Sequence, residues 1–442
     1  MTTPVQAQFF PGNGNELPGS SGILINPEGV IELRQVTPTG KASSRKQIEQ
    51  LAQKHLPPEV LVPTPERVLS IKNLSSEILR HFAEQKPLPP EILYLAGLQR
   101  IDSIVFDREA GDVYLVGPAD AFGPDASGRV IGVGSGRPVL QLDDLITVLR
   151  ADNRDRNGSI GCSIDPTTQN MSNLQEFLRR NSTPASPAQV QMRFQQMSKI
   201  LGPQEISVWG VPPNSRFAAA LVEADLRMKR ISLGMEPAGV PGIRSHLSLL
   251  QPQGNSLQRW WFVPMYEPLE TNAEGTVFTL KGPRAKLLAQ EEFTDAGGRR
   301  SNSNFTRQST QKFAQLFSEH FEELAEKSPP FAELQNCYDI AVTVALIRQM
   351  AARHELQSVF ATLIEHPQLA PKTYAVPRSV PSSSTYRVSG PGMLIGLVGG
   401  VTIDMEPVLK SAQPKQTEAV KSFRERIPQD RVFGNVGEGK SK

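Results

Sequence analysis

QEISVWGVPPNSRFAAALVEADLRMKRISLG, residues 204–234, decides the fold. Ile206 and Val208 alternate with polar neighbours, the period of a half-buried strand, and VPPNS is a turn-rich break. Beyond it Phe217, Leu221, Ala224, Met228 and Ile231 recur at steps of four and three, so one apolar stripe runs along a helix and is expected to face a sheet. Glu223 with Arg227 and Asp225 with Lys229 sit four apart in the favourable order and are expected as exposed pairs on that helix. The basic run Arg227 to Arg230, interrupted by Met228, then reads as a solvated face in preference to a phosphate site.

The same order of strand, loop and helix appears upstream in GSIGCSIDPTTQNMSNLQEFLRR, residues 158–180. Before it, GILINPEGVIELRQV signals a hairpin around Asn26 to Gly29, and IDSIVFDREAGDVYLVGPAD a second one around Glu109 to Asp112. Helices are expected at Ser44–His55, Ser75–Glu84 and Pro90–Leu98, and at the end of GRPVLQLDDLITVLR, where Asp143 is the expected cap.

Downstream, RWWFVPMYEPL and TVFTLKGPRAKLLAQEE read as strands separated by a turn at Asn272 to Gly275, and Ala296–Asn304 reads as a polar loop and boundary. Phe313, Leu316, Phe317, Phe321 and Leu324 mark one long helix, and the apolar Ile340–Ile347 lies in another; Ser328, Pro329 and Pro330 join them as a hairpin. The glycines of TYRVSGPGMLIGLVGGVTIDM favour close-packed strands.

The fold class expected is α+β, with mixed sheets, two central strand-loop-helix units and a C-terminal helical hairpin. The division expected is a flexible lead over 1–21, a sheet-rich part over 22–152, a central part over 153–298, the hairpin with last strands over 299–410, and a disordered tail over 411–442 with a transient helix near Val420 to Arg424.

Forty-seven basic and 45 acidic residues leave a net charge of +2, so the overall field points to neither nucleic acid nor an anionic membrane. Two apolar stretches, Ile340–Ile347 and Gly392–Val401, fall short of the ~20 residues that span a bilayer, so no transmembrane segment is expected. MTTPVQAQFF lacks a basic region followed by an apolar core; the expected compartment is periplasmic or extracellular if this is the remnant of a trimmed signal, and cytoplasmic otherwise. Cys162 and Cys337 are too sparse for a disulfide framework, which leaves a single long-range bridge open.

Chemistry-bearing candidates are few. In GCSIDPT a strand delivers Cys162, Ser163 and Asp165 to a loop, a common place for reactive groups; joined by Asp225 and Arg227 from the second unit they would form a hydrolase or transferase site. No motif assigns a histidine base to the thiol, and the competing reading is a buried cysteine at a strand end. GVGSGRP, residues 132–138, ends in Pro138 and runs into an extended VLQL, so it reads as a turn at a sheet edge and not as a phosphate loop. In RWWF, Trp260 and Phe262 would face one way and Arg259 and Trp261 the other. Arg259, Trp260 and Trp261 are therefore the candidate binding residues, as an aromatic platform for a sugar or peptide, against a strand buried on both faces. His320 falls on its helix's apolar stripe and reads as a packed histidine. Neither HExxH nor GxSxG occurs, and no metal-spaced cluster or cofactor motif is present, so no cofactor and no metal are expected.

Taken together, GLQRIDSIVFD, VGPAD, GRPVLQLDDLITVLR, GCSIDPT, VPPNSRFAAALVEADLRMKRISLG, RWWFVPMYE and FAELQNCYDIAVTVALI resemble an uncharacterised bacterial family, met mainly in planctomycetes and known only as a domain of unknown function. The resemblance runs from about Gly22 to Asp404 and implies a shared fold and often an exported protein, with no activity or site residue to carry over. The functional expectation is a noncatalytic extracytoplasmic binding or structural protein whose partner is a protein or a cell-envelope polymer; the alternative is the hydrolase or transferase around Cys162 and Asp165.

Overall fold

A computed structural model of the chain describes residues 22–33, 41–151, 158–182, 187–250, 257–294, 297, 299–302, 306–382, 384–386, 393–395, 397–415 and 420. The expected lead over 1–21 and most of the expected tail lie outside them. The architecture is mixed helix and strand with mixed sheets, the α+β class.

The N-terminal part opens with the hairpin β1 (Ile23–Ile25) and β2 (Ile31–Leu33), followed by α1 (Lys41–His55) and α2 (Pro58–Leu61). Then come β3 (Thr64–Ser70), α3 (Ile71–Ala83), α4 (Pro90–Leu93), β4 (Ser103–Asp107), β5 (Asp112–Ala119), β6 (Phe122–Pro124), β7 (Val130–Gly132) and α5 (Leu142–Arg150). Ser70 closes β3 and caps α3, its hydroxyl accepting from the Asn73 amide at 3.0 Å.

The central units are β8 (Ile160–Asp165) with α6 (Thr168–Arg180), then α7 (Pro187–Leu201), β9 (Gln204–Trp209) and α8 (Arg216–Ser232). Side-chain caps start the helices after both strands, Thr167 on α6 and Ser215 on α8. Because α6 and α7 lie between them, β9 returns beside β8 antiparallel, with Cys162 opposite Val208. The two connecting helices bury Met171, Leu174, Met197 and Leu201 against each other in a small core of their own.

The remainder is α9 (His246–Leu249), β10 (Leu257–Met265), β11 (Glu270–Thr271), β12 (Val277–Thr279), β13 (Arg284–Thr294), β14 (Arg300–Asn302), α10 (Gln308–Glu319), α11 (Phe321–Lys327), α12 (Pro329–Arg353) and α13 (Ala361–Glu365), closed by β15 (Ser379–Val380), β16 (Ser384–Tyr386), β17 (Met393–Ile395), β18 (Leu397–Ile403), α14 (Glu406–Lys410) and β19 (Gln413–Pro414). The larger sheet has the order β14-β13-β10-β18-β8-β9-β15, and only β10 and β18 pair parallel in it. The smaller has the order β19-β11-β12-β4-β5-β3.

Both sheets draw strands from regions far apart in sequence, and a single apolar core reaches from Ile23 to Val408. One face of the larger sheet carries Cys162, Trp260 and Phe262 against α8, α10 and α12; Trp260 meets Phe313 edge-on at 5.2 Å and Phe262 lies 5.8 Å from Phe317. β18 enters the sheet centre only because it carries glycine. At Gly399, with φ +130°, a Cβ would stand 1.7 Å from the Trp260 carbonyl oxygen.

Several expectations are corrected. TVFTLKGPRAKLLAQEE is not one strand: it breaks between β12 and β13, which belong to different sheets, and Arg284 sits at φ +71° where the chain crosses. The phenylalanine-rich helix ends at Glu319 and restarts at Phe321; His320, at the break, is about a third exposed and leaves the apolar stripe for Gly242 and Glu323. Within the expected tail, Gln413–Pro414 pairs with Glu270–Thr271. Arg300–Asn302, inside the expected polar loop, pairs with Glu292–Thr294. Asp143 does not cap α5: Gln141 holds that position with no side-chain bond, and Asp143 lies in the first turn.

The acid-base pairs of α8 are not exposed either. Glu223, Asp225 and Lys229 are buried, because the helix is enclosed by both the sheet and α12. Glu223 and Arg227 belong to an alternating chain of charges that runs from core to surface through Asp144, Arg216, Glu333, Arg129, Glu223, Arg227, Glu236 and Arg230. Four acids and four bases balance. That balance lets buried charge persist, since a buried ion without its partner is strongly destabilising.

Candidate functional site

Cys162 lies within β8, opposite Val401 of β18 on one side and Val208 of β9 on the other, and is wholly buried. Burial pushes its thiol well up, and the buried Asp225 carboxylate nearby adds to the shift. A thiol held protonated is a poor nucleophile. Cys337 is buried and raised in the same way, and both cysteines are free, which answers the question of a bridge.

Asp225 is engaged by Lys229, whose ammonium donates to Asp225 Oδ2 at 2.7 Å and to the carbonyls of Ile164 at 3.0 Å and Gly399 at 3.2 Å. All three donors of the lysine are thereby used to fasten α8 to β8 and β18. Burial raises the Asp225 carboxyl to about 6, with Lys229 opposing. Arg227 is held by both oxygens of Glu236 at 3.0 Å. Asp165 is half-buried at the end of β8 beside Glu205. The structure thus places Cys162, Asp165 and Asp225 in one neighbourhood, sealed on the thiol's side, while Arg227 serves the charge chain.

Of the platform residues, Trp260 is core, packed between His246 and Phe313. Arg259 and Trp261 are half-buried on the opposite face of the sheet, with the guanidinium 5.0 Å from the indole centroid. The expected alternation of RWWF is what the strand shows. In the glycine-rich turn, Gly134 and Ser135 donate their amides to Asp120 Oδ2 at 2.7 and 3.0 Å, so the chain's own carboxylate occupies the place a phosphate would need.

The site that sequence reasoning missed is a cleft of about 320 Å³ at the start of α5. Four pieces of chain build it: Phe82 at the end of α3 with the Gln85–Leu88 turn after it, Leu93 of α4 with Tyr94 just beyond it, the start of α5, and the segment Gln368–Tyr374. Leu88, Leu93, Leu142, Ile146 and Leu369 give apolar walls, while Asp143, Tyr94 and Tyr374 bring polar groups. An apolar concavity with a few convergent polar groups is the usual form of a small-molecule site.

Asp143 gives this cleft its character. Its Oδ1 accepts the Lys372 amide at 2.8 Å, whereas its Oδ2 is buried and has no hydrogen-bond partner among the described residues. Burial first, and then the neighbouring Asp144 carboxylate, raise the Asp143 carboxyl to about 6; the Lys372 amide and the Arg216 charge oppose this. Burial lifts the Tyr94 phenol to about 12, and Tyr374 moves up for the same reason; both respond to the charge of Asp143. Asp144, one residue on, points the other way into the core and binds Arg216. The signal for this in sequence was the pair of acids in LDDL: adjacent helical positions face about 100° apart, so one of the two had to leave the capping environment.

Residues 162–246 match a family described as a protein of unknown function (DUF1598). No curated protein and no solved structure matches the chain. The matched segment runs from within β8 to the first residue of α9 and contains Cys162, Asp165, Asp225 and Arg227, but not the Asp143 cleft. No group of His, Cys, Asp and Glu suited to a metal ion occurs among the described residues, and no helix among them is long and apolar enough to cross a membrane.

Proposed function

We propose that this protein is a noncatalytic binding protein whose receptor site is the cleft at the start of α5, and that it takes a small amphipathic molecule. The observation that carries the reading is Asp143: a half-buried side chain in the lining of an apolar-walled cavity, with one carboxyl oxygen that has no donor among the described residues. Leaving such a group unsatisfied costs about 1–3 kcal/mol, and more when it is charged, so the site gains by receiving a donor from a ligand. What weighs against chemistry at Cys162 is the burial and raised pKa of its thiol. The extracytoplasmic setting, which the family resemblance implies, belongs to the same proposal; recovery of the native protein solely in the cytosolic fraction of its cells would remove it.

The test is ligand-observed NMR on the full chain with a set of small aromatic and aliphatic amphiphiles, repeated on Leu88→Trp, which fills the cleft from its rim. Fragments that bind the wild type and are lost in the variant support the reading. If every fragment that binds does so equally in the variant, the reading falls. A second reading rests on the Arg259–Trp261 pair, which suits stacking against a sugar of a cell-envelope polymer. It predicts that Trp261→Ala abolishes co-sedimentation with insoluble polysaccharide, and retention by the wild type no better than by the variant refutes it.

A further inference from the structure

The fully buried carboxylates on α5, α8 and α12 follow one rule, and Asp143, a half-buried side chain with one buried oxygen, departs from it. Asp144, Glu223, Asp225, Glu333 and Asp339 each have a guanidinium or ammonium nitrogen within 3.2 Å: Arg216 serves Asp144 and Glu333, Arg129 serves Glu223, Lys229 serves Asp225 and Arg284 serves Asp339. Asp112 and Asp120, buried elsewhere, are met by hydroxyl or amide donors instead. Asp143 has one amide on one oxygen, and no side-chain cation among the described residues lies within 4.0 Å of it.

Its surroundings are suited to a cation. Three aromatic rings, Phe82, Tyr94 and Tyr374, share the cleft lining with the carboxyl, and aromatic rings attract an ammonium through their quadrupole. The two lysines of the lining do not take the place themselves. Lys86 is paired with Glu84 at 2.8 Å and points to solvent, and Lys372 meets Asp143 through its backbone amide. Resting on the cleft reading above, we infer that the ligand is an organic ammonium, an amine head on an apolar body, with the head at Asp143 and the body against Leu88, Leu93, Ile146 and Leu369.

Phenethylamine, 2-phenylethanol and 3-phenylpropionate keep one ring and chain while changing the head from cation to neutral to anion. Titrated into the full chain by calorimetry at pH 7.5, the amine should bind at least tenfold more tightly than the alcohol, and the acid should not bind. Asp143→Asn should weaken the amine at least tenfold and the alcohol far less, and Leu88→Trp should remove both. Lowering the pH to 5 should weaken the amine alone. The proton then competes at Asp143, where Asp144 and Arg216 stand behind the carboxyl, and Lys372, Tyr94 and Tyr374 line the cleft around it. If amine and alcohol bind alike and Asp143→Asn changes neither, the ammonium assignment is overturned while the cleft still stands as a receptor. If no probe binds, or binding survives Leu88→Trp, both readings are lost.

Discussion

Replacing Asp143 by Asn should raise stability against denaturant, measured against the wild type at the same pH, by more at pH 7.5 than at pH 4. Burial raises the carboxyl from the usual range near 3.8 to about 6, which is worth about 3 kcal/mol between its protonation states. A raised acid pKa means that the folded protein binds the proton more tightly than the unfolded chain. The wild type therefore holds its full contribution from this group below pH ~4 and loses it as the pH rises through 6, up to about 3 kcal/mol in total. Asparagine keeps the acceptor for the Lys372 amide and does not titrate. Its buried NH2 adds a constant offset of about 1–3 kcal/mol if unpartnered, so the informative quantity is the change with pH. Urea denaturation from pH 4 to 8 should show the variant gaining about 2 kcal/mol on the wild type across the window. Asp225, also near 6, titrates equally in both proteins and cancels. A difference between variant and wild type that is flat with pH would refute the claim that the half-buried Asp143 carboxyl lacks adequate compensation, and with it the physical basis of the cleft.

The charge chain makes a prediction of the opposite sign. Glu333→Gln strips Arg129 and Arg216 of their shared carboxylate and should cost about 3–5 kcal/mol by urea denaturation, whereas Glu84→Gln on the surface should leave the midpoint in place. Lys229→Met should be as damaging because Asp225 stays buried and loses its cation; the double variant with Asp225→Leu should recover most of the loss, and no recovery would argue against that pair as the cause. Ellman's reagent should find no reactive thiol in the native protein and two after denaturation; a thiol that titrates rapidly in the folded chain would reopen the reading of Cys162 as a nucleophile.

Periodicity carried the local elements. The 217–231 stripe, both central strand-loop-helix units, the hairpins at Asn26–Gly29 and Glu109–Asp112 and the face assignment in RWWF followed from side-chain spacing, which is set by backbone geometry and needs no distant partner. The exposure of charged residues did not follow. Glu223, Asp225 and Lys229 read as a solvated helix face because pattern alone assigns charge to water, and only the arrival of α12 and the sheet puts them in the core.

The Asp143 cleft was equally hidden, since its walls come from Phe82, Tyr94, Ile146 and Tyr374, nearly three hundred positions apart at the extremes. The sequence by itself determined which segments are strands and helices and which faces are apolar, because those depend on neighbours a few residues away. Only the tertiary structure decided which charges find partners among the described residues, because pairing depends on distances between segments that the chain brings together through burial of its apolar faces.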